Sequence, residues 1–294
     1  MISKNEIEIE LENCQQQISQ LKMENEKLIA SLYKVNEKLR DSERLKGHFI
    51  SNITNEIVNP FASVLALAEN IKQLKEGEIQ KAHRMADLIF EEAFHLDFQL
   101  KNIFAAALIE AGKEELKFAS IKINELSDHV NEYFNAFLNK KNIRIAVGYT
   151  NELLPDNPIS FISDREKLDM ILKNLISNSI KYSPEGSVIA LNFVFGKGTL
   201  SIEVSDRGKG IDPEERKIVF DRFRQIDEKI NSINTGHGLG LSIVQAYSEM
   251  LGGKVSLNDN YEGGIRVMVS IPESAESDEW NDLEDFLLDP EASY

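Results

Sequence analysis

Ile7, Leu11, Cys14, Ile18, Leu21, Asn25, Leu28, Leu32, Val35 and Leu39 are spaced alternately by four and three residues. A helix with this spacing carries an apolar seam along one side, and here Glu, Lys and Gln fill most other positions. A seam so regular calls for a second helix, so the pattern predicts a parallel coiled coil over residues 1–44. Leu11, Ile18, Asn25, Leu32 and Leu39 take the a positions. A lone Asn there fixes register and favours a parallel pair at some cost in stability. A single amphipathic helix lying on a domain is the plainer alternative. The seam falters at Ser42 and Lys46, where a new phase begins.

From Leu45 to about Leu74 a second helix is expected, with Phe49, Ile53, Pro60, Val64, Leu67 and Ile71 near one stripe. Pro60 has no amide proton and is expected to kink it. "LKEGE" offers a turn at Gly77, and a third helix should run from Ile79 to Ala111 until Gly112 stops it. Such a hairpin, residues 45–112, has too little core to stand alone. Doubled, it makes a dimeric four-helix bundle, in keeping with the coiled coil before it.

Residues 113–272 change character. "LKFASIKI" and "IRIAVGY" read as strands around a helix over Asn124–Lys140. Ser163, with Glu166 three residues on, reads as the capping box of a helix ending at Ile180. "VIALNFVF" and "TLSIEVSD" alternate as strands about a "GKG" turn, a helix follows "GLGL", and "GKVSLND" with "GIRVMVSI" closes a hairpin. This predicts an α/β sandwich, so the fold class is multidomain, α followed by α/β.

The net charge of −16 argues against nucleic acid as a partner, because phosphate contacts need Lys and Arg. Residues 273–294 alone hold nine acids and no Lys or Arg. This tail reads as a solvated, disordered segment or, through Trp280, Leu283 and Leu287, as a short docking motif. A single cysteine excludes an internal disulfide and suits a reducing cytoplasm. No apolar run reaches the roughly 18–20 residues that span a bilayer, and the N-terminus lacks a secretion-signal pattern. A cytoplasmic protein without direct membrane insertion is expected.

Three motifs follow one another in the α/β region. In "NLISNSIKY", Asn174 and Asn178 share a helix face, and their amide oxygens can ligand a hard cation, with Lys181 and Tyr182 close by. In "DRGKGI", Asp206 follows a strand, Gly208 and Gly210 free the backbone for close approach to a ligand, and Ile211 comes next. Such an aspartate can accept an exocyclic amine. In "GHGLGL", Gly236, His237, Gly238, Leu239 and Gly240 lead into a helix whose N-terminal amides suit an anionic phosphate. The polar segment between the last two, Arg222 to Thr235, is long enough for a lid.

In this order and spacing the motifs resemble the N box and glycine boxes of sensor histidine kinases, and "FDRF" resembles their phenylalanine box at Phe223. These kinases carry the Bergerat fold, shared with gyrase, heat-shock chaperones and mismatch-repair ATPases. The resemblance implies ATP and Mg²⁺ as cofactors. It implies Asn178, assisted by Asn174, as the metal site, Lys181 and Tyr182 lining the nucleotide, and Asp206 on adenine. Gly236, Gly238 and Gly240 would wrap the phosphates. The hairpin resembles the family's dimerisation domain, with "IEAGKEEL" at its end.

One position departs from that family. Its dimerisation helix usually reads Ser-His-Glu-Leu-Arg-Thr-Pro or close to it; here stand Thr54, Asn55, Glu56, Ile57, Val58, Asn59 and Pro60. An imidazole lone pair can attack a γ-phosphate, whereas the amide nitrogen of Asn55 is conjugated to its carbonyl and is no nucleophile. His48 lies one heptad upstream, about 10 Å away along the axis, without a following Glu; His83, His95 and His129 are no better placed. Glu56 and Asn59 do keep the spacing that, in the family, supports dephosphorylation of a receiver domain. The expected function is a homodimeric, ATP-binding pseudokinase regulator or receiver-domain phosphatase. Its partner would be a response regulator or another histidine kinase. A working kinase using another acceptor or acting in trans, and a scaffold with a vestigial pocket, are the alternatives.

Overall fold

The computed structural model describes residues 20–29, 31–33, 35–36, 57–75, 77–152, 159–221, 238–261 and 263–274. The chain divides into two compact units, Met1–Val58 and Asn59–Tyr294. In the first, the described residues between 20 and 36 are helical, and Leu21, Leu28, Leu32 and Val35 stand 61 to 62% exposed. The other seam positions, Ile7 to Ile18 and Leu39, lie outside the described residues.

The second unit begins with a helical hairpin. Helix α1 (57–72) has Ile57, Pro60, Ser63, Val64, Leu67, Ala68 and Ile71 half-buried, a three-four spacing that puts one face inward. Gly77 turns the chain with φ +94. Helix α2 (Ile79–Glu110) then runs for 32 residues. Gly112 ends it at φ +61, and the amides of Gly112 and Lys113 donate to Ile109 and Leu108 oxygens at 3.1 and 3.0 Å. That pair of bonds closes the last turn, as a glycine after a helix allows.

The α/β part has strand β1 (Phe118–Lys122), helix α3 (Ile123–Lys140), strands β2 (Arg144–Asn151) and β3 (Ser160–Asp164), and helix α4 (Arg165–Tyr182). Strands β4 (Val188–Gly196) and β5 (Thr199–Ser205), helix α5 (Gly240–Met250), and strands β6 (Lys254–Asp259) and β7 (Ile265–Pro272) complete it. A five-stranded sheet has the order β2-β4-β5-β7-β6, parallel between β2 and β4 and otherwise antiparallel. A second sheet pairs β1 with β3 antiparallel. Strand β4 shows strict alternation, with Ile189, Leu191, Phe193 and Phe195 turned inward. The inward face of the sheet meets α3, α4 and α5, and α4 buries Leu168, Ile171, Leu172, Leu175 and Ile176 almost completely. Each such side chain contributes about 1.5–3 kcal/mol.

The start of α4 corrects the expected cap. Ser163 stays in β3, paired with Ala119, and its buried hydroxyl has no hydrogen-bond partner among the described residues. Asp164 caps instead: its Oδ1 accepts the Lys167 amide at 3.0 Å, and its Oδ2 the Lys117 amide at 2.8 Å. Strand β3, four residues of which form "FISD", keeps Ser163 extended and moves the helix start one residue on. The helix also runs to Tyr182, past the expected end at Ile180.

Helix α2 packs along α3 and α4. Glu91 accepts both of its hydrogen bonds from Lys140 Nζ at 2.7 Å. Phe94 lies 4.7 Å from the Tyr133 ring and 4.6 Å from Phe137 between centroids, and Asn102 reaches α4. Beyond Gly112, Glu114 binds Lys167 Nζ at 2.9 Å and accepts the Tyr247 hydroxyl at 2.5 Å. Burial and this carboxylate push the Tyr247 phenol well above its ordinary range.

Candidate functional site

Helix α4 supplies one wall. Asn174 is 2% exposed, and its Nδ2 donates to Asn102 Oδ1 at 2.8 Å and to the Met170 carbonyl at 3.0 Å. With both amide protons used, Oδ1 faces the start of α5: a Cβ built on Gly240 would stand 2.9 Å from it. The same point lies 3.5 Å from Asn178 Nδ2, one turn further along α4. Gly240 thus lets the first turn of α5 approach two side-chain amides.

The second wall is the loop after β5. Asp206 is 4% exposed. Its Oδ1 accepts the amides of Gly208 at 2.8 Å and Ile265 at 3.3 Å, and its Oδ2 accepts the Ser179 hydroxyl at 3.3 Å. Burial pushes the carboxyl up from its ordinary value, and the three hydrogen bonds oppose that rise. A carboxylate oxygen has room for a second donor, so Oδ2 can take an amine proton in addition to that of Ser179.

Residues that sequence reasoning missed hold this loop. Gly264, at φ +81, lies so close that a Cβ there would stand 2.4 Å from the Asp206 carbonyl oxygen and 2.5 Å from both Asp206 Oδ1 and the Gly208 nitrogen. Asn260 Nδ2 donates to the Asp206 carbonyl at 2.8 Å. Arg216 donates to the Ile211 carbonyl at 3.0 Å and pairs with Asp259, tying the loop to β6. The doublet in "YEGGIRV" was the available signal for Gly264. For Asn102 the signal was a polar residue in the buried row Phe98, Asn102, Ala105 and Ala106 of α2.

The other expected residues fall as follows. Gly208 touches Tyr182, whose carbonyl would lie 3.2 Å from a Cβ on that glycine. Lys181 and Tyr182 are exposed at the end of α4, and the ammonium groups of Lys181 and Lys209 lie 5.1 and 5.6 Å from the Tyr182 ring centre. Gly210 has φ +76 and Gly238 φ +65; Ile211 is half-buried and Leu239 buried. Phe223, Gly236, His237 and the expected lid lie outside the described residues, as do Asn55, Glu56 and His48. Asn59 is exposed on α1. Of the other histidines, His129 Nδ1 lies 2.9 Å from Asp169 Oδ1. His95 packs on Phe137, 5.1 Å between ring centres, and desolvation lowers its pKa. Among the described residues no helix is long and apolar enough to cross a membrane.

Asn174 and Asn178 therefore meet Gly240 at the start of α5, and Asp206 bonds the same helix α4 at Ser179, the residue after Asn178. Residues 163–275 match the family of histidine kinase-, DNA gyrase B- and HSP90-like ATPases, a match that implies ATP binding, typically with magnesium. The chain is 27% identical over 259 residues to hybrid signal transduction histidine kinase D of Dictyostelium discoideum, covering 85% of this chain and 16% of that protein. It is 26% identical over 235 residues to the autoinducer 2 sensor kinase/phosphatase LuxQ of Vibrio cholerae, covering 79% of this chain and 27% of that one. It thus spans about a quarter or less of these relatives' lengths. Full-length ShkA in complex with AMPPNP shares the fold at TM-score 0.55 and 25% identity, over 77% of this chain and 46% of ShkA. The chain is similar to sensor histidine kinases over most of its length, and its residues 163–275 match the family model of histidine kinase-, gyrase B- and HSP90-like ATPases.

Proposed function

We propose that this chain binds Mg·ATP and acts as a histidine-kinase-like regulator in two-component signalling, with no acceptor imidazole at position 55. The observation that carries the nucleotide reading is that Gly240 at the start of α5 stands against the Asn174 and Asn178 amides while Asp206 Oδ2 bonds Ser179 on the same helix α4, which supports a recess between them. In it Asp206 would take the adenine amine, Asn174 Oδ1 would hold Mg²⁺, joined by Asn178 once a half-turn of its amide brings oxygen in place of the Nδ2 it now presents, and the α5 amides would meet phosphate. Lys181 and Tyr182 are assigned to its edge, and the motif resemblance assigns Phe223, Gly236, His237, Gly238, Leu239 and Gly240 to the nucleotide as well. When bound, the metal neutralises phosphate charge. The AMPPNP held by ShkA supports this reading.

Position 55 decides the activity. Its amide cannot accept a phosphoryl group, so a chain with a loaded pocket stays unlabelled. By their spacing in the sequence, Glu56 and Asn59 are read as orienting a water toward a receiver-domain phosphoaspartate, a reading favoured by the name of the kinase/phosphatase relative. The seam from Leu21 to Val35, together with Val58, Phe61 and Leu65 on α1 and Phe104 and Leu108 on α2, leaves apolar surface exposed. That supports a homodimer through a coiled coil and four-helix bundle, and a sedimentation mass of one chain would refute it.

The test is labelled ATP offered to the wild type and to Asn55→His. The wild type should acquire no acid-labile phosphate, the variant should acquire it, and only a receiver-domain assay reads the phosphatase. Labelling of the wild type on a histidine would replace this account with that of an ordinary kinase. The absence of any Mg·ATP binding would leave a scaffold.

A further inference from the structure

We infer that Asn102, on the hairpin helix α2, is a positioning residue for the nucleotide recess: it selects which end of the Asn174 amide faces the metal. This rests on the Mg·ATP reading above and adds to it a residue from outside the ATPase domain.

A side-chain amide is nearly symmetrical in shape, so its two ends exchange places by a half-turn unless hydrogen bonds choose between them. A metal ion needs the oxygen; the NH₂ end repels it. Met170 is one turn back on α4, and its carbonyl holds one amide proton at 3.0 Å. The second proton goes to Asn102 Oδ1 at 2.8 Å, across the packing surface between the two helices. Both asparagines are buried, at 6% and 2% exposure, so water is not on hand to replace the bond. Asn174 Oδ1 is therefore turned toward Gly240 and the start of α5, where the phosphates and their metal are proposed to lie. Outer partners of this type orient metal ligands, and their loss typically weakens metal binding 10–100-fold.

The arrangement also couples the two parts of the unit. Asn102 lies 11 residues after Glu91 on α2, roughly 16 Å along a helix rising 1.5 Å per residue. Between those two residues, Phe94 and Phe98 pack on the aromatic rings of α3. A shift of α2 across that surface removes the acceptor from Asn174 and frees the amide to turn its NH₂ end to the recess.

The experiment compares Asn102→Leu and Asn102→Asp with the wild type in the full chain. Affinity is measured by calorimetry for ATP with magnesium and for ATP with a chelator. The leucine variant should lose about tenfold for Mg·ATP and change less than twofold for metal-free ATP. The aspartate, which keeps an acceptor oxygen, should restore Mg·ATP binding. As a readout independent of nucleotide, the side-chain NH₂ resonances of Asn174, identified by their absence in Asn174→Ser, should exchange slowly with solvent in the wild type and quickly in Asn102→Leu. Equal losses with and without magnesium would show a merely structural role and overturn the proposal. An unchanged exchange rate in a folded Asn102→Leu would overturn it too. If the wild type binds neither form of ATP, the nucleotide reading itself falls and takes this inference with it.

Discussion

Replacing Gly264 by alanine tests the loop geometry most directly. Its φ of +81 lies in the left-handed region, which costs an L-residue roughly 1–2 kcal/mol. The added Cβ would stand 2.4 Å from the Asp206 carbonyl and 2.5 Å from the Gly208 nitrogen, both backbone atoms that move only with the loop. Overpacking of that kind costs typically 1–3 kcal/mol, so the expected total is about 2–5 kcal/mol. Gly210 is the control. Its φ is +76, but the nearest atom to an added Cβ is the Gly264 oxygen at 3.9 Å, so only the conformational cost of about 1–2 kcal/mol applies. At about 2–4 °C per kcal/mol for a domain of this size, Gly264→Ala should melt several degrees below Gly210→Ala. It should also weaken ATP binding more, because the atoms it displaces hold the Asp206 carboxylate. Equal melting temperatures for the two variants would refute the close packing of β7 against the loop.

Two other substitutions separate stability from function. Asp206→Asn keeps the shape but removes a carboxylate whose folded pKa is raised by burial. A raised carboxyl pKa means that the folded state binds the proton more tightly, so this group's contribution falls as pH rises from the ordinary aspartate range through the folded value. Asp206→Asn should therefore melt relatively higher at pH 7 than at pH 3, each compared with the wild type, while losing ATP binding in a calorimetric titration. At the start of α4, Asp164→Ala should cost about 1–2 kcal/mol or more in chemical denaturation, since the carboxylate satisfies two amides. Ser163→Ala should cost under about 0.5 kcal/mol, because its hydroxyl has no partner among the described residues.

Much of this architecture was legible in the chain. The strict alternation of β4, the glycine at 112 and the helix after Gly240 each come from local chemistry that a sequence displays. The misplaced cap shows where such reading stops. Ser163 and Asp164 are both good caps in isolation and both pair with β1; that long-range pairing carries the strand through Asp164, so only Asp164 adjoins the helix start. Within the recess, Asp206 and the two asparagines announced themselves through their motifs. Ser179, Asn260, Gly264 and Asn102 did not, because each acts on a partner distant in sequence, Asn102 across 72 positions.

Gly112 and Glu114 bear on how force would travel through the molecule. The helix ends at a left-handed glycine, and two residues later the main chain is riveted to α4 and α5 through the Glu114 carboxylate. Only Lys113 lies between pivot and rivet. A tether of one residue cannot coil up slack, so a rotation of α2 is delivered to α4 and α5 as torque instead of being absorbed in a loose connection.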